Sequence, residues 1–443
     1  MRHCRRLGLW GPAPKEVEGV ERNIGMNRWA AIASSVALAL AAVASTSAAA
    51  FAQDPQPATH DQGPAKVILD TDMVELFDDG MAMLLLDQSP EIDLLGVTVV
   101  SGNTPMPRGM ATGARQLEAL DSTVPIYEGS RYGIRNWRAI PEVLDAEKVV
   151  SPVVSWAGYL REGLEGIDAD PMADWRDVYE YLYGEAPTYE YVHEAGMPDE
   201  NGAEESVQFL IDQANMYPGE ITLVVIGPVT NIARAIMADP TFPSKIKQIV
   251  YMGGTFYLPG NSSAAAEFNW WADPDAAKIA VRQEWGDTST EAYELYGNQV
   301  IAGLEANHNT GGMPPDLYEQ MVDNTFPGIQ ELFRAREAAI TERGGTNFAP
   351  SNIWDLFAAA YVIDPSIVQS WNDDPRPEDG TPQEIYGVYV DVDNNMGPDF
   401  GRSIAYREDV GPVGARKAAI ENFIDEEKFW NDIVVPLATG EGE

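Results

Sequence analysis

Short runs of apolar residues recur along the chain and alternate with segments that have a helical period. Five runs read as strands buried on both faces, at residues 66–70, 92–100, 124–127, 221–226 and 246–252. Four segments between them read as helices, at residues 80–88, 108–120, 206–216 and 231–237. Strands that alternate with helices build parallel sheets, because each helix returns the chain to the end where the previous strand began. The pattern therefore predicts an α/β fold with one open, mostly parallel, Rossmann-like sheet and helices on both faces.

The ends of the chain and one internal segment depart from this alternation. From Met26 a short segment with Arg28 precedes an apolar, alanine-rich run, and a small-x-small cleavage site ends at Ala52. This pattern predicts a secreted or periplasmic protein with no membrane span after processing. The predicted divisions are 1–52, an upstream segment and signal peptide; 53–65, a linker; and 66–443, the main domain, with a mostly helical insertion at 138–203 and one or two surface helices at 415–437.

The acidic composition limits the partners of the chain. It has 69 acidic and 29 basic residues, which gives a formal net charge of −40. Such a charge repels nucleic acid and anionic membranes, but it is compatible with a neutral substrate and with bound cations. A shell of charge that only keeps the protein soluble would look the same. Because the only cysteine, Cys4, precedes the predicted cleavage site, the exported chain would have neither disulfides nor a cysteine nucleophile.

The segment after the first predicted strand is rich in carboxylates. Asp70, Asp72, Glu75, Asp78 and Asp79 lie between that strand and the next helix. Ligands bind at the carboxyl ends of strands in open α/β sheets, and clustered aspartates supply the oxygen ligands that hard cations need. The motif therefore predicts a cation site. One aspartate that caps the helix, beside solvated acids, would give the same sequence.

Two later segments have residues suited to the same site. A glycine pair follows Met252 at the end of a predicted strand, and Asn261, Glu267 and Asn269 come shortly after it. Glycine lets a ligand approach the backbone, and amide and carboxylate side chains can hold sugar hydroxyls. Asp355 opens an apolar helix later in the chain. A polar loop and a helix cap are the alternative interpretations of these two segments.

Together these segments resemble the nucleoside hydrolase family, which includes inosine–uridine and inosine–adenosine–guanosine preferring N-ribohydrolases. The Asp-x-Asp opening with its Asp-Asp pair, the Met-Gly-Gly to Asp-Pro run, the Gly-Pro-Val-Thr-Asn turn at 227–231 and the late Trp-Asp pair all occur in the family order. The resemblance runs from Lys66 to Asp364, with gaps. It implies calcium-dependent hydrolysis of the N-glycosidic bond of a ribonucleoside, giving ribose and free base. A homo-oligomer, either dimer or tetramer, is compatible with the sequence, which does not distinguish these assemblies.

The resemblance also implies roles for individual residues. Calcium would be bound by Asp72, Asp79, Asp355 and the main-chain carbonyl of Ile226. Asp72 would also act as the general base on the attacking water, and Asp70 would support the site from behind. Ribose would be bound by Asp78, Asn103, Asn261, Glu267 and Asn269.

The prediction of substrate preference depends on Trp354. It stands where many members, including those that accept pyrimidines, have a histidine that serves the leaving base. The purine-preferring branch has a tryptophan there and stacks the purine between it and a tryptophan from an earlier loop, which Trp137 matches. The resemblance therefore implies a purine preference, with Trp354 assisting catalysis by stacking on the base as it gains a proton. A pyrimidine preference would need a histidine donor that the sequence does not place.

One departure from the family concerns the acidic loop. The family usually has four steps between the second aspartate and the Asp-Asp pair, whereas there are six steps from Asp72 to Asp78 here. The longer loop leaves open a second class of function, an exported nucleoside- or sugar-binding protein that kept the pocket and lost turnover. The complete set of Asp72, Asp79 and Asp355 favours the enzyme.

Overall fold

A computed structural model describes residues 63–135 except 75 and 77, 175–188, and 204–440 except 343, 344, 346–348, 351 and 409. The predicted signal peptide, nearly all of the linker, Trp137 and most of the segment 138–203 lie outside the described residues. Among the helices that are described, none is long and apolar enough to cross a membrane.

Ten strands of the described chain form one sheet. In chain order they are β1 Ala65–Thr71, β2 Ile92–Val99, β3 Ile126–Glu128, β4 Thr222–Val225, β5 Gln248–Met252, β6 Gln299–Ala302, β7 Val368–Trp371, β8 Val388–Val392, β9 Ser403–Tyr406 and β10 Arg416–Ile424. The order across the sheet is β3-β2-β1-β4-β5-β6-β10-β8-β9, and β7 also pairs with β10. In the order across the sheet, the neighbouring strands β3, β2, β1, β4, β5, β6 and β10 all pair in parallel. Strands β7, β8 and β9 add antiparallel pairs at the β10 side of the sheet. The prediction of a single, mostly parallel sheet is confirmed.

Helices cover both faces of this sheet. They are α1 Asp78–Gln88, α2 Met106–Ala119, α3 Trp175–Tyr183, α4 Glu204–Met216, α5 Thr230–Ala238, α6 Phe268–Ala272, α7 Pro274–Val281, α8 Glu291–Tyr296, α9 Leu304–Thr310, α10 Pro315–Asn324, α11 Pro327–Glu342, α12 Trp354–Ile363, α13 Glu426–Lys428 and α14 Val435–Thr439, with a π-helical turn at Phe429–Val434. Successive strand residues point to opposite faces, so Leu69 packs with α1 and α12 while its neighbour Ile68 packs with α4, α5 and α7. Two apolar cores result, and they explain why the central strands have continuous apolar runs.

The strand order places β1 inside the sheet, third from the edge that β3 forms. β1 pairs with β2 on one side and with β4 on the other, so the winding direction reverses between β1 and β4. Open α/β sheets bind ligands at such a reversal, outside the carboxyl ends of the strands. Thr71, Val225 and Met252 end three of the strands at this edge, and the predicted site residues follow them.

The prediction of surface helices at 415–437 is wrong for the first part of that segment. Residues Arg416–Ile424 form β10, which pairs with β6, β7 and β8 and is buried over most of its length. The short apolar run in this strand cannot be distinguished from a buried helix by periodicity alone. The helical turns that follow are also not superficial, because Phe429 and Val434 are fully buried in the core.

The predicted helical insertion is described only in part. α3 lies in this segment, and Tyr179 packs against Ala111 of α2. The helical interpretation therefore holds for residues 175–183, and the remainder of 138–203 lies outside the described residues.

Candidate active site

A cavity of about 340 Å³ opens at the carboxyl edge of the sheet, beside the point where the winding reverses. Its lining is acidic, amide-bearing and apolar, and no lysine, arginine or histidine is among the described residues that form it. The lining residues are Asp78, Asn103, Ile226, Met252, Asn261, Glu267, Phe268, Asn269, Asn352, Trp354 and Asp355. Segments that are far apart in the sequence thus meet at one place.

Three buried carboxylates converge at this cavity. Asp78 and Asp79 begin α1, Asp355 lies in the first turn of α12, and these two helices pack against each other. One carboxylate oxygen from each lies within 4.8 Å of the others. Their positions at helix starts are favourable because the positive end of each helix dipole faces the negative charges. This arrangement could hold a metal ion.

Asp72 and Asp79 are oriented by a shared partner. The main-chain nitrogen of Asn103 donates to Asp72 Oδ2 at 2.6 Å, and Asn103 Nδ2 donates to Asp79 Oδ2 at 3.2 Å. Thr71 Oγ1 donates to the other oxygen of Asp79 at 2.6 Å. A Cβ at Gly102 would lie only 2.1 Å from Asp72 Oδ2, so a glycine is needed for the loop to approach this close. Asp72 is therefore fixed beside the cluster, although it does not itself line the cavity.

The electrostatics of the cluster are unfavourable without a cation. Burial raises the pKa of Asp72, Asp78, Asp79 and Asp355, and repulsion from neighbouring carboxylates raises the pKa of Asp72, Asp78 and Asp355 further. One oxygen of Asp72 and one of Asp78 have no hydrogen-bond partner in the part of the chain that the structure describes. Buried carboxylates are usually paired or bound to a metal, so the orphaned oxygens fit a bound cation.

Asp70 is buried at the end of β1, where it contacts β2 and the start of α5. Its Oδ2 accepts hydrogen bonds from Thr98 Oγ1 at 2.6 Å and from Asn231 Nδ2 at 2.8 Å. Burial nevertheless raises the pKa of Asp70 to about 7. Asn231 also accepts from the main-chain nitrogen of Ser130 at 2.8 Å, so the turn at 227–231 connects β1 to the loop after β3.

A buried side chain of α2 contacts the longer acidic loop at two points. Gln116 of α2 accepts from the main-chain nitrogen of Leu76 at 3.2 Å and donates to the carbonyl of Gly80 at 2.6 Å. Leu76 adopts a left-handed φ of 50° and is buried in the core. The extra length is thus accommodated within the core, and the carboxylates of Asp78 and Asp79 still reach the cluster.

The opposite wall of the cavity comes from the segment after β5. Glu267 caps α6 by accepting from the main-chain nitrogens of Asn269 at 2.6 Å and Trp270 at 3.1 Å, and it also accepts from that of Gly254 at 2.9 Å. Burial raises the pKa of Glu267 to about 7 against these lowering contacts. Asn269 Nδ2 donates to the carbonyl of Ile226 at 2.9 Å, while its Oδ1 has no partner in the described part of the chain. An acceptor is thus left beside the cavity.

Trp354 is half-buried and completes the wall next to Asp355. One part of its side chain packs against the core, and the residue lines the cavity. Asn352 and Phe268 also line the cavity and were not predicted from the sequence. Their only sequence signal was closeness to the Trp-Asp pair and to Glu267. Asn261 lies at the exposed rim, His308 is exposed, and Trp137 lies outside the described residues.

A buried carboxylate cluster beside an amide-lined cavity, at the winding reversal of an open parallel sheet, defines an α/β protein whose site suits a cation and a hydroxyl-rich ligand. The family model described as inosine-uridine preferring nucleoside hydrolase matches residues 67–431. The chain belongs to this family. It is therefore a hydrolase that acts on nucleosides and cleaves the N-glycosidic bond of ribonucleosides.

Known proteins agree with this assignment. The chain is 29% identical over 368 residues to a pyrimidine-specific ribonucleoside hydrolase RihB of Escherichia coli (strain SMS-3-5 / SECEC), which covers 82% of this chain and 94% of the relative. The fold is similar to that of a plant nucleoside hydrolase, with 22% identity, 85% and 99% of the two chains covered and a TM-score of 0.58. It is also similar to that of a purine-preferring ribonucleoside hydrolase from Gardnerella vaginalis, with 22% identity, 84% and 99% covered and a TM-score of 0.54.

Proposed function

We propose that this nucleoside hydrolase uses calcium and prefers purine nucleosides. The observation that carries the calcium assignment is the convergence of buried carboxylates on a cavity where the described lining has no basic residue. Calcium takes six to eight oxygen ligands from carboxylates, carbonyls and water. The groups that would hold it are Asp72, Asp79, Asp355 and the Ile226 carbonyl, with Asp78 close by. Among the described residues that line the cavity there is neither a histidine nor a cysteine, which disfavours zinc.

The residues around the cavity have different roles in glycoside cleavage, which passes through a ribosyl cation with oxocarbenium character. Calcium held by these groups would lower the pKa of the attacking water and would bind sugar hydroxyls. Asp72 accepts the proton of that water, and its bond from Asn103 keeps the carboxylate oriented. Glu267 places negative charge near the developing cation, and Asn269 Oδ1 accepts a hydrogen bond from ribose.

The purine preference rests on Trp354. A purine offers a larger face for stacking than a pyrimidine, and one stacking contact contributes roughly 1–3 kcal/mol. Stacking on the base next to the metal ligand Asp355 would raise the basicity of the purine ring as the bond breaks. The similarity to a pyrimidine-specific hydrolase favours the second candidate, a pyrimidine preference. No described histidine lines the cavity to donate a proton to a pyrimidine.

A substrate panel separates these candidates. Purified protein with calcium is incubated with inosine, guanosine, adenosine, uridine and cytidine, and kcat/KM is measured for each. We expect the purine nucleosides to have the higher values. Uridine turned over as fast as inosine would overturn the purine assignment, and nucleoside binding without release of any base would show that the protein only binds its ligand.

A further inference from the structure

The short helix α9 connects the two halves of the active site. It begins directly after β6, the strand next to β5, and two of its polar residues are buried. Glu305 is 2% exposed and Asn307 is 8% exposed. Polar side chains that are buried to this extent usually make hydrogen bonds, and both residues do so with segments of the active site.

Glu305 binds the loop that follows β5. Its Oε1 accepts from the main-chain nitrogens of Phe256 and Tyr257, each at 2.7 Å. The main-chain nitrogen of Leu304 donates to the carbonyl of Gly254 at 3.2 Å, so the same loop is attached at a second point. Bonds from two successive backbone N–H groups to one carboxylate oxygen are charge-assisted, and they hold the loop more firmly than neutral contacts would.

The same loop contacts Glu267, a residue to which we assign a catalytic role. The main-chain nitrogen of Gly254, whose carbonyl is bound by Leu304, donates to Glu267 Oε2 at 2.9 Å. The position of the Glu267 carboxylate therefore depends on the path of the loop. Gly303 makes room for the arrangement, because a Cβ there would lie 2.5 Å from Glu305 Oε2.

Asn307 binds the other half of the site. Its Oδ1 accepts from the main-chain nitrogen of Ile353 at 2.9 Å, one residue before Trp354 and two before Asp355. Ile353 stands at the start of α12 and has no side chain suited to capping it. Asn307 thus fixes the chain where it enters the helix that carries the stacking residue and a carboxylate of the cluster.

We propose that Glu305 and Asn307 are positioning residues of this active site. Glu305 positions Glu267 through the loop after β5, and Asn307 positions Trp354 and Asp355 through Ile353. The proposal rests on the proposed function, since it assigns effects to calcium and to ribose at that site. It predicts that the two residues affect different steps although they lie on one helix.

Glu305 is tested by a conservative and a disruptive variant. Glu305→Gln keeps an oxygen that can accept from both N–H groups, and its new amide replaces Oε2, which has no hydrogen-bond partner within the described residues. We expect it to retain most of the activity on inosine. Glu305→Leu leaves both N–H groups without an acceptor, and we expect kcat/KM to fall about 10- to 100-fold with calcium affinity unchanged. If the leucine variant does not fold, Glu305→Ala admits water to the two N–H groups and should show a smaller loss of the same kind.

Asn307 is compared with its neighbour Asn309. Asn307→Leu should lower calcium affinity about 10- to 100-fold, measured by calorimetry without substrate. Asn307→Asp keeps the acceptor for Ile353 but loses the donor to Asn352 Oδ1, 3.5 Å away, so it should lose less calcium affinity than Asn307→Leu. It is the variant to use if leucine prevents folding. Asn309→Leu removes bonds of similar length, to Asn422 of β10 rather than to the site, so it should leave calcium affinity and activity unchanged.

The outcomes separate this proposal from the function on which it rests. A wild type that neither binds calcium nor hydrolyses inosine would overturn both. With an active wild type, equal losses in Glu305→Gln and Glu305→Leu would show that the hydrogen bonds are not what matters. Equal calcium affinity in folded Asn307→Leu and Asn309→Leu would likewise overturn the role of Asn307 alone.

Discussion

Four buried carboxylates lie in or beside the cavity. Asp72, Asp78, Asp79 and Asp355 are at most 3% exposed, and burial is the largest cause that raises the pKa of each. In the absence of a cation, raised pKa values favour the protonated forms, and metal binding must displace those protons. Calcium binding should therefore release protons and should be weaker in acid than near neutral pH.

Asp355→Asn tests the cluster at one position. The change removes one carboxylate from a group whose charges repel, so the variant without calcium should melt at a higher temperature than the wild type without calcium. Calcium affinity should fall by more than about tenfold, since a loss of that size is typical even for residues that only support a ligand. Melting curves with and without calcium measure both effects. A calcium-dependent rise in melting temperature equal to that of the wild type would contradict this role.

Trp354→Ala tests the role of stacking in leaving-group activation. Stacking that strengthens as the base gains a proton favours the transition state, so the loss should appear in kcat as well as in KM. Inosine is compared with p-nitrophenyl riboside, whose leaving group needs no proton. We expect a large loss on inosine and a small one on the nitrophenyl compound. Equal losses on both would mean that Trp354 only shapes the cavity.

At the scale of elements, the sequence predicted the central α/β units well because their apolar runs are continuous. β1, β2, β4 and β5 lie within two residues of their predicted bounds, and helices lie between them as expected. β10 was missed because its central apolar stretch is short and charged or polar residues flank it. Such a run has no period that distinguishes a strand from a helix.

The site could be predicted only where a motif identified it. The predicted carboxylates and amides that the structure describes lie in or beside one cavity, but the roles assigned to them stay predictions. Glu305, Asn307 and Gln116 have no motif, and their importance comes from contacts with segments distant in the sequence. Contacts of this kind follow from the tertiary fold and have no local sequence signal.

Burial of Glu421 on β10 should make the free energy of unfolding depend on pH. It is fully buried, burial raises its pKa, and neither carboxylate oxygen has a hydrogen-bond partner within the described residues. Below the unfolded-state pKa of about 4.3, both states are protonated and the group has no pH-dependent effect. Above it, only the unfolded state loses the proton, so stability falls as pH rises towards the folded-state pKa.

Glu421→Gln removes this titration. The free energy of unfolding of the variant, relative to the wild type, should therefore grow as the pH rises above about 4.3, by at most about 1.4 kcal/mol per pH unit. Urea unfolding of both proteins across this range measures the difference, and other groups cancel in the comparison. A difference that does not change with pH would show that Glu421 titrates alike in the folded and unfolded states.

For the whole molecule, we propose export with cleavage after Ala52. The proposal rests on Arg28, the apolar run and the Ala-x-Ala site, all in a segment outside the described residues. A net charge of −40 suits a protein that handles a neutral substrate and binds cations. N-terminal sequencing of the native protein should begin at Gln53. A cytoplasmic protein that begins at Met1 would contradict the proposal.

The release of ribose from inosine, before and after removal of calcium, tests the central claim most directly. Purified protein is treated with a chelator, assayed, and assayed again after calcium is restored, with Asp79→Ala as a parallel sample. We expect activity to disappear on chelation and to return with calcium in the wild type only. Full activity in chelated protein, with no metal found by elemental analysis, would contradict the account of this site.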